Sequence, residues 1–249
     1  MEFRLRVWRQ QGPENQGGFQ EYQVSDIQGD MSILEMLDQV NEGLIQQGEE
    51  PIAFESDCRE GICGMCGLVI NGVPHGDQKK TTTCELRMRH FQDGQTIVIE
   101  PFRSRAYPVI KDLIIDRTAL DRIIQNGGYI STRVGSSPEA NTIPVPKQDQ
   151  EQAMDAAECI GCGACVAACP NSSATLFVGS KVSHLALMPQ GRPEAARRVA
   201  SMLQSMQDEG FGHCSNHYEC QAVCPKDIHV KFIARMNREL FKSWFKRKE

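Results

Sequence analysis

The chain has no run of about eighteen apolar residues, so nothing in it reads as a bilayer-crossing helix. Its first residues, MEFRLRVWRQ, alternate like a strand and lack the charged-then-apolar order of a secretory leader. Basic excess is missing too: the formal net charge is -5 over 249 residues, which gives no footprint for nucleic acid. There is no GxxxxGK phosphate cradle and no Ser/His/Asp grouping, so the side chains are not expected to make or break bonds themselves. Aromatic residues are only 6%, but 40% of the residues are hydrophobic, enough for one large or two small domains.

Cysteine is what the chain has in plenty. Eleven cysteines fall into three sets. The first, Cys58, Cys63, Cys66 and Cys84, reads C-x4-C-x2-C followed by a distant cysteine, the plant-type spacing for a 2Fe-2S cluster. In SDCREGICGMCG the backbone must wrap an inorganic core, which suits Gly61, Gly64 and Gly67. Amide N–H groups of such a loop can donate to cluster sulfur and raise its potential. A structural zinc knot is the competing reading, and it fits less well because zinc motifs usually pair two CxxC units.

The second set is Cys159, Cys162, Cys165 and Cys169 followed by Pro170, and the third is Cys214, Cys220 and Cys224 followed by Pro225. In the bacterial two-cluster ferredoxin run, C-x2-C-x2-C-x3-C-P, the fourth cysteine serves the other cluster. Cys159, Cys162 and Cys165 are therefore expected to share a 4Fe-4S cluster with Cys224. Cys169 is expected to join Cys214 and Cys220. That last group is one thiolate short, and His217 stands where a complete motif would have its second cysteine. Three thiolates favour a 3Fe-4S cluster; an imidazole ligand from His217 would instead retain a fourth iron. With four, four and three thiolates every cysteine is used. An odd count and the Cys-Pro runs argue against a disulfide framework, and so many thiolates suit a reducing compartment.

Periodicity divides the chain in two. Residues 2–8 and 19–24 alternate as a hairpin, and from Ser32 to about Gln47 apolar residues follow helical spacing behind a Ser32/Glu35 capping box. GLVINGVPHG reads as a strand with an Asn-Gly turn, and TIVIEP as a further strand. Strands curled about one helix with a cysteine loop describe a β-grasp ferredoxin. The apolar run in 107–125 predicts a helix or a docking strap, and 127–150 an irregular linker. Helices are expected over 151–158, 163–168, about 193–209 and 227–243. The expected fold class is α+β: residues 1–105 a plant-type 2Fe-2S ferredoxin domain, residues 106–249 a linker and an α-helical two-cluster ferredoxin domain. Ile62, Ile160 and Val223 are expected to keep water from the clusters. In the closing FKSWFKRKE, Lys242, Lys246, Arg247 and Lys248 flank Trp244 and Phe245, a mixture suited to a membrane-water interface, an acidic partner or simply a solvated helix end.

Taken together, SDCREGICGMCG, PVIKDLIIDR and the two Cys-Pro runs resemble, in the same order and over nearly the whole chain, the iron-sulfur subunit of succinate dehydrogenase and fumarate reductase. The resemblance implies an electron path from the FAD of a flavoprotein partner through 2Fe-2S, 4Fe-4S and 3Fe-4S clusters to a quinone held by membrane anchor subunits. It implies a place on the cytoplasmic face of the cell membrane, or its mitochondrial-matrix equivalent, and leaves the direction of flow open. The chain departs from the family at several points. Cys66 stands where some members have Asp, His217 where an aliphatic residue is common, Ala174 where many have Trp, and Ser215 where many have His. These departures suggest a differently built quinone pocket, such as one from a single membrane subunit with haem. The alternatives are the iron-sulfur subunit of another flavoprotein oxidoreductase, such as a thiol-linked fumarate reductase, and a free multi-cluster ferredoxin.

Overall fold

The computed structural model describes residues 1–131, 135–136, 139, 141–142 and 145–246. It has an N-terminal mixed sheet with one long helix, followed by a helical region. In β1 (Phe3–Arg9) the sequence FRLRVWR sends Phe3, Leu5 and Val7 inward and Arg4 and Arg6 outward, the period-2 pattern of a half-buried strand. It pairs antiparallel with the edge strand β2 (Gly18–Val24), from Phe3 opposite Val24 to Arg9 opposite Gly18.

Helix α1 (Ile33–Gln46) begins at Ser32, whose hydroxyl accepts from Glu35 N at 3.2 Å while the Glu35 carboxylate accepts from Ser32 N at 2.6 Å. Its buried stripe, Ile33, Leu34, Met36, Leu37, Val40 and Leu44, packs into one core with the sheet. Strands β3 (Leu68–Ile70) and β4 (Val73–Pro74) are joined at Asn71 and Gly72, both at positive φ, as a two-residue hairpin turn demands. Strand β5 (Thr96–Pro101) completes the sheet in the order β2-β1-β5-β3-β4, parallel to β1 and antiparallel to β3.

The segment 107–125 differs from expectation. Its first part is a hairpin, β6 (Val109–Lys111) with β7 (Ile114–Ile115), and only Thr118–Gln125 is helical, as α2. The reason lies at the turn. The Asp112 carboxylate is wholly buried, accepts from Gln10 N and Ala53 N at 2.9 Å each, and is ion-paired with Arg9. Leu113 enters the N-terminal core while Val109 and Ile115 enter the second. The hairpin thus fastens the two halves of the chain to each other.

The helical region contains α3 (Lys147–Ala157), α4 (Ala164–Ala167), α5 (Thr175–Leu187), α6 (Ala195–Asp208), α7 (Glu219–Ala222) and α8 (Lys231–Lys246). Helix α3 begins inside the segment expected to be linker, and residues 132–134, 137–138, 140 and 143–144 of that segment lie outside the described residues. Helix α5 has no counterpart among the helices that periodicity predicts. It is central and buried on almost every side, so its sequence TLFVGSKVSHLAL carries no polar stripe. A Cβ at Gly179 would lie 3.1 Å from Phe232 O, so this glycine lets α5 and α8 approach closely. Arg198 on α6 is the largest fully buried side chain among the described residues, donating to Gly127 O, Gly191 O and Tyr129 O at 2.9, 2.7 and 2.9 Å beside the Glu194 carboxylate.

Candidate iron-sulfur centres

The first cysteine set sits on the loop before β3 and on a short 3-10 turn, Thr83–Glu85. Tight curvature puts Arg59, Gly61 and Gly64 at positive φ, and the amides of the loop turn inward. Cys58 Sγ accepts from Glu60 N at 3.3 Å and from Ile62 N and Cys63 N at 3.4 Å each. Cys84 Sγ accepts from Gly61 N at 3.3 Å and lies 3.1 Å from Thr82 Oγ1. The Glu60, Ile62 and Cys63 amides hold the Cys58 thiol below its ordinary range. Cys84 is held down to about 6, first by the neighbouring Cys66 thiol and then by Thr82 and the Gly61 amide. Cys66, buried against that sulfur, is pushed up. Even without iron, the loop is arranged to stabilise negative sulfur.

The second site is drier. Cys159, Cys162, Cys165 and Cys224 line one pocket together with Gly161, Leu176, Phe177 and Pro225. Burial pushes Cys162 up to about 12 and raises Cys165 as well. Cys224 Sγ accepts from Ile228 N at 3.3 Å. A thiolate here needs a cation, and iron would supply that charge.

Cys169, Cys214 and Cys220 line another pocket, and His217 lines it too. Cys214 and His217 are exposed. The Asn171 amide donates to His213 O at 2.9 Å and to Ser215 Oγ at 2.6 Å, fixing the loop that carries Cys214. Ala174, at the base of α5, is fully buried within the chain.

Among the described residues no three His, Cys, Asp or Glu side chains converge on a single ion-sized point. The sulfurs of the second and third sets instead line pockets, as polynuclear clusters require and a lone zinc ion does not. Eleven sulfurs in groups of four, four and three, several with amide donors, fit iron-sulfur clusters.

The first two sites touch. A Cβ on Gly64 would lie 2.6 Å from Ile160 O and 3.1 Å from Cys162 N, so the loop of the first set rests directly on the loop of the second. Sequence spacing carries no signal for this contact, which depends on the tertiary fold. Ile160 and Val223 pack partly buried against the core, whereas Ile62 is 62% exposed and shields nothing within this chain. At the end of α8, Phe241, Trp244 and Phe245 are exposed; Arg247 and Lys248 lie outside the described residues. No described helix is long and apolar enough to cross a membrane.

Comparison with known proteins agrees with this chemistry. Residues 4–122 match the family described as a 2Fe-2S iron-sulfur cluster binding domain, and residues 155–228 match a 4Fe-4S dicluster domain. The chain is 28% identical to the succinate dehydrogenase iron-sulfur subunit of Bacillus subtilis over 76% of its own length and 72% of the relative's. It is 27% identical to the fumarate reductase iron-sulfur subunit of Wolinella succinogenes, with 89% of each chain covered. One subunit of the fumarate reductase (CoM/CoB) of Methanothermobacter marburgensis is 30% identical over 80% of this chain, which spans only 36% of that protein. In fold, the chain superposes on one from the Mycobacterium smegmatis Sdh1 complex in the apo form with a TM-score of 0.69 and 20% identity, covering 97% of this chain and 96% of that one.

Proposed function

We propose that this chain, which belongs with the iron-sulfur subunits of succinate dehydrogenases and fumarate reductases, relays electrons between the flavin of a partner subunit and a quinone site at the membrane. The proposed ligands are Cys58, Cys63, Cys66 and Cys84 for a 2Fe-2S cluster, and Cys159, Cys162, Cys165 and Cys224 for a 4Fe-4S cluster. Cys169, Cys214 and Cys220 would hold a 3Fe-4S cluster. The clusters, when bound, supply reversible one-electron chemistry at iron.

The residues of the chain do the rest. Amides of Glu60, Gly61, Ile62 and Cys63 aim at sulfur and favour the reduced, more negative state of the first centre. Leu176, Phe177 and Ile228 wall the second cavity with apolar surface and exclude water. The observation that carries the reading is the line of three sulfur-lined sites. The first two meet at Gly64, while the second and third share both Cys-Pro runs, Cys169 following Cys165 and Cys224 following Cys220. The sheet order and its single long helix support the β-grasp reading of the first domain.

The partners are an FAD-bearing flavoprotein and one or more membrane anchor subunits carrying quinone, with haem where the anchor is a single chain. The proposed location is peripheral, on the cytoplasmic face of the membrane; the exposed aromatic end of α8, which suits a surface that meets such an anchor, supports the peripheral part of that reading. The test is low-temperature electron paramagnetic resonance of the air-oxidised chain. A three-iron centre gives a signal in that state, and His217→Cys should abolish it by retaining a fourth iron. A silent oxidised spectrum from the unaltered chain would mean that His217 is itself a ligand.

A further inference from the structure

One cation lies between the first two sites and takes no part in the ligand sets. Arg117, at the start of α2, donates from one guanidinium nitrogen to Gly64 O at 2.7 Å, Gly161 O at 3.3 Å and Cys162 O at 3.4 Å. Its other terminal nitrogen lies 2.7 Å from Met65 Sδ. Gly64 and Met65 lie between Cys63 and Cys66, while Gly161 and Cys162 belong to the second ligand run. The same side chain therefore grips both cysteine loops by their backbones. It also lines a broad groove whose walls include Cys63 on one side and Cys159 and Ile160 on the other.

Beneath this fork the two loops are in contact only because Gly64 has no side chain. Its φ of +74° is a conformation that glycine adopts without strain. Carbonyls of the two loops would otherwise face each other across the contact, an arrangement that repels. One nitrogen of the rigid, planar guanidinium meets carbonyls from both loops while the other rests on Met65, whereas a lysine ammonium is a flexible, more strongly hydrated point charge without that second contact.

We propose that Arg117 is the positioning residue for electron passage between the first and second centres. It clamps their loops at contact distance, and its fixed positive charge stabilises the added electron on either side. The proposal rests on the cluster assignment above. Each passage moves one electron: iron at one centre is oxidised, iron at the other is reduced, and no bond or proton is exchanged. A cation lying this close in a partly buried groove favours reduction of both neighbours and is screened by salt less than a surface charge would be.

The test uses the full chain, purified anaerobically with its iron, and reads the paramagnetic resonance of the fully reduced protein during a redox titration. In the unaltered chain the reduced first centre should relax faster once the second centre is also reduced, because the two spins are close. Arg117→Met should weaken that enhancement and make reduction of the second centre about tenfold less favourable, a shift of ~59 mV for one electron. Arg117→Lys keeps the charge and loses the rigid planar group with its contact at Met65, so it should restore the potential more fully than the spin interaction. A merely structural role would give no such split.

If both centres are present in Arg117→Met with potentials and relaxation unchanged, the proposal is overturned. Should that variant fail to retain both centres, Arg117→Lys carries the test, and relaxation equal to that of the unaltered chain overturns it. Failure of the underlying cluster reading would look different, because the unaltered chain would then lack the two signals from the outset.

Discussion

The two halves of the chain both bury cysteine, but they carry it on different scaffolds. In the first half Cys58 and Cys63 sit on a partly exposed loop, while Cys66 and Cys84 are buried at the edge of a core that a five-stranded sheet and a 14-residue helix build from Leu5, Leu34, Leu37, Ile97 and Ile99. In the second half Cys162 and Cys165 lie inside the packing, and α4 and α7, each four residues long, carry or abut the ligands. Helices of one turn have no stability of their own in water. The lesson is that the first half sets its cysteines against a sheet and a long helix, whereas the second half sets several of its own on single helical turns.

Stripping iron from the reduced full chain with a chelator is the harshest test of this contrast. Amide exchange should rise sharply across residues 159–230 while β1, β5 and α1 stay protected. Equal loss of protection in both halves would erase the distinction. A smaller effect isolates what holds the helical half besides iron. Arg198→Met leaves three buried backbone carbonyls without their donor and Glu194 with Arg197 as its remaining cation, and should cost about 3–5 kcal/mol in urea unfolding of the loaded chain. A loss under about 1 kcal/mol, the worth of a surface pair, would show that the second half depends on iron alone. The mildest probe addresses the first half. Ser32→Ala removes one side of a capping box and should lower stability by about 1 kcal/mol without altering the spectra of any centre.

The same contrast explains what could be read from the sequence. β1, α1 and the Asn71-Gly72 turn declare themselves because one face of each meets a core and the other meets water, which imprints a period on the residues. Helix α5 leaves no such imprint, because it is buried on every side but the one that carries Lys181 and His184, and even Ser180 and Ser183 are buried. The run from Val109 to Ile115 misleads in another way. Apolar residues at helix-like spacing serve two different cores, and the buried Asp112, which forces the turn, looks in sequence like an ordinary surface charge. Cysteine spacing names the candidate sulfurs, but it is silent on which amides point at them. Arg117 closes the PVIKDLIIDR stretch, and only the fold reveals that its fork reaches backbone from two distant loops.

The exchange of Cys169 and Cys224 between neighbouring pockets also ties their formation together. Neither pocket has its full lining of cysteines until both Cys-Pro turns have arrived, so the chain must be threaded before either is complete. Under the proposed ligand sets the expected outcome is that the two pockets fill and empty together.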